Sequence, residues 1–222
     1  KEKGSIGASP YLGMGRRHAS QHYTSLLSAH VWVQGWIASY LLTGNHRGLD
    51  VAEQTGDLHL RRIWGDHDLR GRRLYLSVWN LSEIYDVNKK EKYFTELNDR
   101  VKIMLELQKS SDQGGNLVID RYGYSQIYVS HGLYKYYQMT GDDKIKRALI
   151  THIKWQRDNP SVNHQMESLL ATLHGLSLGY EFTKDPSYLK EAIKRAQNLV
   201  TDKLPLNFNE YKNQKDLSDA LE

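Results

Sequence analysis

The sequence predicts an all-α fold of about four helical hairpins, arranged as an α/α toroid or an incomplete α/α barrel. Three observations predict it. Apolar residues recur at helical spacing in every long segment. No strand pattern of comparable quality exists, residues 116–120 being the one short candidate. Turns rich in Thr, Gly, Asp and Asn recur at Thr43, Asp86, Thr140 and Thr183, after 43, 54 and 43 residues.

Residues 1–14 have the Gly, Ser and Pro content of a loop. Residues 30–44 follow a polar approach and carry so little polar surface that, as a helix, they are expected to be buried nearly all round. The more polar stretch 45–60 is its outer companion. In the second pair, Leu74, Leu76, Val78, Trp79, Leu81, Ile84 and Tyr85 mark the inner helix. Its outer helix, 90–108, places Tyr93, Phe94, Leu97, Val101, Met104 and Leu105 close to the i, i+3, i+4 pattern. The third pair has Ile127, Val129, Leu133 and Met139 before its turn, then 145–157 after it. The fourth has Leu169, Leu173, Leu176 and Leu178, then an amphipathic helix opened by Pro186, where a missing N–H costs nothing. An apolar helix alternating with an amphipathic one suits an inner ring inside an outer ring better than a solenoid whose helices are each half exposed.

The chain has 222 residues, enough for one large domain with its own core. It has no cysteine, so disulfides and thiolate metal sites are excluded. No apolar run approaches a membrane span, and residues 1–10 contain no signal-peptide core. The first residue is not Met, and four hairpins are fewer than a full six-hairpin toroid needs. The whole, 1–222, is therefore read as one domain of a longer multidomain protein. A net charge of +4 favours acidic partners, but no basic helix or stripe points to nucleic acid. Fifteen Tyr, five Trp and ten His fit a surface that stacks on sugar rings and hydrogen-bonds them.

The longer connections, from each outer helix to the next inner one, are where chemistry is expected. The first holds Trp64, Asp66, His67, Asp68 and Arg70 among further arginines. The second holds Asp112, Asp120, Arg121, Tyr122 and Tyr124, and the third Asn163 and His164. With Arg16, Arg17, His18, Gln21, His22 and His30 they would gather at one funnel mouth. Arg can hold a uronate carboxylate in a two-pronged geometry, Trp and Tyr can stack on a pyranose, and His can move protons near neutral pH. In β-elimination the proton beside the carboxylate leaves first, and a neutralising cation stabilises the enolate that forms. Hydrolysis would instead use a carboxyl acid such as Asp66 or Asp120.

Several of these groups have structural explanations. The arginines around residue 70 can pair with Asp66 and Asp68 on a solvated face. Trp32 and Trp36 read as core, Tyr134, Tyr136 and Tyr137 as packing, and His30, His131 and His174 as core histidines with satisfied rings, although His30, at a helix start, could face the mouth. His18 and His22 lie four apart but no spacing fixes a third ligand, so neither metal nor cofactor is expected.

Arg17-His18 with Gln21-His22, then His30-Val31-Trp32-Val33-Gln34-Gly35 and Tyr40-Leu41-Leu42-Thr43-Gly44-Asn45, resembles the helical domain of the YetA-like exo-rhamnogalacturonan lyase family. The match is clear over residues 15–60 and weaker beyond. The resemblance implies an α/α toroid that follows β-rich domains, elimination on an acidic pectic backbone, and site-facing roles for Arg17, His18, Gln21, His22, His30, Trp32 and Gln34. The resulting expectation is a lyase on a uronate-containing glycan, extracellular or periplasmic, with His18, His22 and His30 as proton-transfer candidates and Arg16, Arg17 and Arg70 as carboxylate binders. Asp66 and Asp120 serve the hydrolase alternative. Gln21, Trp64, His67, Tyr122, Tyr124 and His164 are expected to contact substrate, and a non-catalytic glycan- or protein-binding scaffold is the third possibility.

Overall fold

A computed structural model of the chain describes residues 31–61, 69–111, 114–118, 125–159 and 166–198. Eight helices are described: α1 (Gln34–Thr43), α2 (His46–Leu60), α3 (Gly71–Asn88), α4 (Glu91–Lys109), α5 (Ser125–Thr140), α6 (Asp143–Asp158), α7 (Met166–Thr183) and α8 (Ser187–Asn198). No strand occurs among the described residues, and 116–118 form irregular backbone. The fold is all-α.

The odd-numbered helices pack on one another in sequence, α1 on α3, α3 on α5, α5 on α7. Each even-numbered helix packs outside them on its own partner, and α2 and α6 also touch the inner helix that follows. Four hairpins thus form two rows with one shared core, which runs from Val33 and Ile37 through Leu74, Leu81, Leu97, Leu133 and Leu149 to Leu176 and Tyr188. Tyr93 belongs to it as well, and burial is the main reason its phenol is held above the usual tyrosine range, with the hydrogen bond to Asp57 adding to the effect.

The four hairpin turns are built alike. The last residue of each inner helix is Thr43, Asn88, Thr140 or Thr183, and the next is left-handed: Gly44 (φ 70°), Lys89 (φ 53°), Gly141 (φ 64°) and Lys184 (φ 59°). In each case the side-chain oxygen of the first residue accepts from the N–H two residues on, at 3.3, 3.0, 3.3 and 3.2 Å. Asn45, Asp142 and Asp185 then accept the N–H groups of Arg47, Lys144 and Ser187 and open the outer helices. The second turn is centred on Asn88 rather than on Asp86, two residues later than its Asp suggested. Asp86 instead pairs with Lys135 and Lys89, which hold its carboxyl below the usual range against the opposing effect of burial.

A lysine in the left-handed region costs what a glycine does not. Lys184→Gly is therefore expected to raise stability by about 1 kcal/mol, and Gly141→Ala to lower it by about the same amount. The midpoint of urea unfolding measures both.

The expectation that the first inner helix is buried nearly all round is not met. Only Ile37 of α1 is buried, while Trp36, Leu41 and Leu42 are exposed. The inner helices α3 and α5 are flanked on both sides by other inner helices, whereas α1 touches just α3 within the described row. Its apolar residues belong to a helix interior in kind, but among the described residues an inner-helix neighbour is present on one side only.

Candidate functional site

With the turn residues aligned, each hairpin contributes equivalent positions, and at two of these the side chains make contacts that repeat along the row. Nine residues before the turn stand Gln34, Trp79, His131 and His174. The Trp79, His131 and His174 side chains form a ladder across the inner row, and Gln34 adjoins its α3 end through Asn80. The Trp79 and His131 rings stack at 4.8 Å, and the His131 and His174 rings at 3.7 Å with 2° between planes. Tyr128 lies 6.2 Å from Trp79 and 6.5 Å from Trp32, and Tyr134 meets His174 edge-on. Stacking between equivalent positions means α3, α5 and α7 run parallel and in register. Close approach of α5 to α3 is possible because residue 132 is glycine: a Cβ there would lie 2.9 Å from the Trp79 backbone nitrogen.

The ladder faces away from the outer row. Ser77 and Thr172, each two residues before a ladder member and so about 200° round the helix, bond to Arg100 and Arg195 of the outer helices. Ladder faces are used up by stacking, so ring edges are what remains for hydrogen bonding. Trp79 Nε1 donates to Glu83 Oε1 at 3.0 Å. Gln34 donates through Nε2 to Asn80, whose own amide donates to the Val31 carbonyl. At the two ends of the ladder, Gln34 Oε1 and His174 Nδ1 are buried without a hydrogen-bond partner. Burial, and then the neighbouring His131, push His174 down to about 4; burial also lowers His131. Both rings are neutral at pH 7, and the expectation that His174 is a satisfied core histidine is corrected by its orphaned nitrogen.

Charge is distributed unevenly along the inner row. Toward the inner-helix C-termini lie Glu83, Asp86 and Glu181, with Lys135 paired to the first two and Tyr134 donating to Glu181. Near the opposite end are the N-termini of the parallel helices, with their positive dipole ends, and Arg70, Arg72 and Arg73 where α3 begins.

The second position lies twelve residues after the turn, where Thr55, Arg100, His152 and Arg195 are all buried. Arg100 donates to the Glu96 carboxylate, the Ser77 hydroxyl and the His59 carbonyl. Arg195 repeats this with Glu191, Thr172 and the Gln156 carbonyl. Each arginine caps the last turn of the preceding outer helix, where carbonyls lack helical partners. In the hairpin between them the chain offers a donor instead, and an acceptor meets it: the Leu117 N–H bonds to His152 Nδ1 at 3.1 Å. The His152 proton then sits on Nε2, and the Gln156 amide 3.0 Å away can accept it only through its oxygen. Complete burial pushes this imidazole down to about 3. These clasps are structural.

Of the site residues expected from sequence, Arg70, Trp32 and Gln34 are described: Arg70 is exposed and immediately precedes α3 in extended backbone, and Gln34 opens α1 half-buried. Arg16, Arg17, His18, Gln21, His22, His30, Trp64, Asp66, His67, Asp120, Tyr122, Tyr124 and His164 lie outside the described residues. Trp32 is half-buried beside Tyr128, in keeping with a packing role, whereas Trp36 is exposed rather than core. Sequence reasoning misses the ladder because it assigns Trp79, His131 and His174 individually to packing and gives Gln34 alone a site-facing role, by resemblance; a count back from each turn brings the four together. Among the described residues no group of three or more His, Asp or Glu is placed to hold a metal ion, and no helix is long and apolar enough to cross a membrane. Comparison with known proteins gave no matching family model, no matching curated protein and no matching solved structure.

Proposed function

We propose that the chain is the α/α toroid domain of a carbohydrate-active protein, and that it holds a uronate-containing glycan along the inner row for cleavage by β-elimination. The observation that carries this reading is the ladder of Gln34, Trp79, His131 and His174, which repeats once per hairpin and ends in two buried polar atoms with no partner. Such atoms are rare in folded proteins and invite an explanation. Sugar hydroxyls, which both donate and accept, are the chemistry that imidazole and amide edges recognise. Helix N-termini and Arg70, Arg72 and Arg73 at one end favour the carboxylate of an acidic sugar there, whereas at the other end Glu83 and Asp86 already occupy Lys135. The sequence resemblance to the YetA-like lyases supports the same substrate class and supplies His18, His22 and His30 as proton-transfer candidates.

Elimination removes the proton next to the uronate carboxylate, breaks the C–O bond one carbon further on and leaves a C=C bond conjugated to the carboxylate. The test is ultraviolet absorbance of that product during incubation with pectic and other acidic polysaccharides. The expected result is a rise that His22→Ala abolishes and Trp79→Ala weakens. New reducing ends without the absorbance would replace elimination by hydrolysis, the reading in which Asp66 or Asp120 is the acid. Binding with neither signal would leave a glycan-binding scaffold, which the ladder alone also supports. An absence of binding to every acidic glycan would overturn the proposal.

A further inference from the structure

Among the described residues five large apolar side chains are exposed, and all five lie on the first or last hairpin: Trp36, Leu41 and Leu42 on α1, Tyr180 on α7 and Ile193 on α8. The two central hairpins expose none. Aligned positions show what covers these residues inside the row. Seven residues before the turn, Leu81, Leu133 and Leu176 are fully buried, whereas the equivalent Trp36 is 45% exposed. One residue before the turn, Val87, Met139 and Phe182 are packed against the core, whereas Leu42 is 84% exposed. The α7 member of this set shows the contact: Phe182 lies edge-on to Tyr137 at 5.8 Å and tilted against Tyr134 at 6.0 Å, both on the preceding inner helix.

The last hairpin carries the other half of that junction. Three residues before the turn every inner helix has a tyrosine, Tyr40, Tyr85, Tyr137 and Tyr180. Tyr137 receives Phe182 of the following helix, while Tyr180 has no following inner helix in the described row. Ten residues after the turn, the outer helices present to the next hairpin: Glu53 bonds Asn88 and Lys90, and Asn98 accepts from Tyr136. Ile150 at this position is half-buried, and Ile193 is 57% exposed.

We infer that the two ends bind each other in different molecules: a second copy of this chain docks its α7–α8 end against the α1 end of the first, placing Leu42 on Tyr180 and burying Trp36, Leu41 and Ile193. The contact continues the junction that already joins one hairpin to the next. Such an interface is head-to-tail, so it leaves one free head and one free tail on every dimer and permits rings or longer rows.

The test is solution mass by light scattering over a concentration series of the full chain, with circular dichroism to verify folding. Expected are concentration-dependent multiples of 25.7 kDa for the wild type, and folded monomers for Leu42→Glu and for Ile193→Glu alone. An equimolar mixture of the two variants should form a dimer and nothing larger, because one intact tail and one intact head remain. A folded monomer at every concentration would overturn the inference. So would variants that melt earlier with no change of mass, which would mean the chain covers its own end. A mixture that fails to associate while wild type does would show a different interface.

Discussion

Arg100→Met is expected to destabilise the fold by about 3–5 kcal/mol, the cost of removing one partner from a buried, hydrogen-bonded charge pair. The guanidinium is fully buried, and its loss takes a cation from Glu96, an acceptor's donor from Ser77 and a cap from the end of α2. Apolar replacement of the set should be milder, because the Glu96 carboxylate and the Ser77 hydroxyl are removed along with their partner and the His59 carbonyl alone loses a donor. Glu96→Leu combined with Arg100→Met and Ser77→Ala is therefore expected to recover most of the loss. Arg195→Met should behave like Arg100→Met, since Glu191, Thr172 and the Gln156 carbonyl repeat its surroundings. Urea denaturation of the single and triple variants measures these differences. A single variant within about 0.5 kcal/mol of wild type, the range of an ordinary surface change, would remove the clasp from any account of stability.

Acidification is expected to have an effect of similar size. Histidine in the unfolded chain takes up a proton near 6.5, whereas His152 in the fold resists it down to about 3 and His174 down to about 4. Between those limits the unfolded state binds more protons, so stability is fully present above 6.5 and is lost as the pH falls. The slope for His152 approaches about 1.4 kcal/mol per pH unit. His174 adds a smaller share, since it is partly open to solvent, and its stacking on His131 prevents both rings from carrying charge together. His152→Asn keeps an acceptor for the Leu117 N–H but does not titrate. It should be less stable at pH 7 and distinctly flatter between pH 6.5 and 4, read from melting temperatures across that range. An unchanged slope would place the acid sensitivity elsewhere.

What the sequence revealed and what it concealed follow from the range of the forces involved. The helices and turns were legible because apolar periodicity and turn chemistry are local: Thr43-Gly44-Asn45, Thr140-Gly141-Asp142 and Thr183-Lys184-Asp185 each hold their own hydrogen bonds. The second turn was placed early because Asp86 is a turn-forming residue in type, while its structural task is to pair with Lys135 on another helix. That shift of two residues was enough to hide the alignment of Trp79 with His131 and His174. The clasps were invisible for a further reason. Glu-x-x-x-Arg looks like any exposed helix pair, and nothing in the local pattern says that Arg100 and Arg195 reach back to carbonyls about 40 residues earlier. The burial of α1 was misjudged because hydrophobicity records what a residue suits, not whether a neighbour is there to cover it.

The clasps also bear on how the row comes apart. Each buried side chain at Arg100, His152 and Arg195 ties its own hairpin to the end of the helix pair before it, so a hairpin gains full stability only beside a completed neighbour. Thr55, at the same place in the first hairpin, bonds the Val51 carbonyl of its own helix. Its partner within the same helix makes the first hairpin the one that is not tied backward in this way. Couplings of this nearest-neighbour kind give a one-dimensional cooperative chain, in which fraying at a terminus costs one link and opening in the middle costs two. The array is thus built to yield from its ends inward, and the same linkage that makes α3 through α6 hard to open leaves the terminal hairpins as the places where chain can be added.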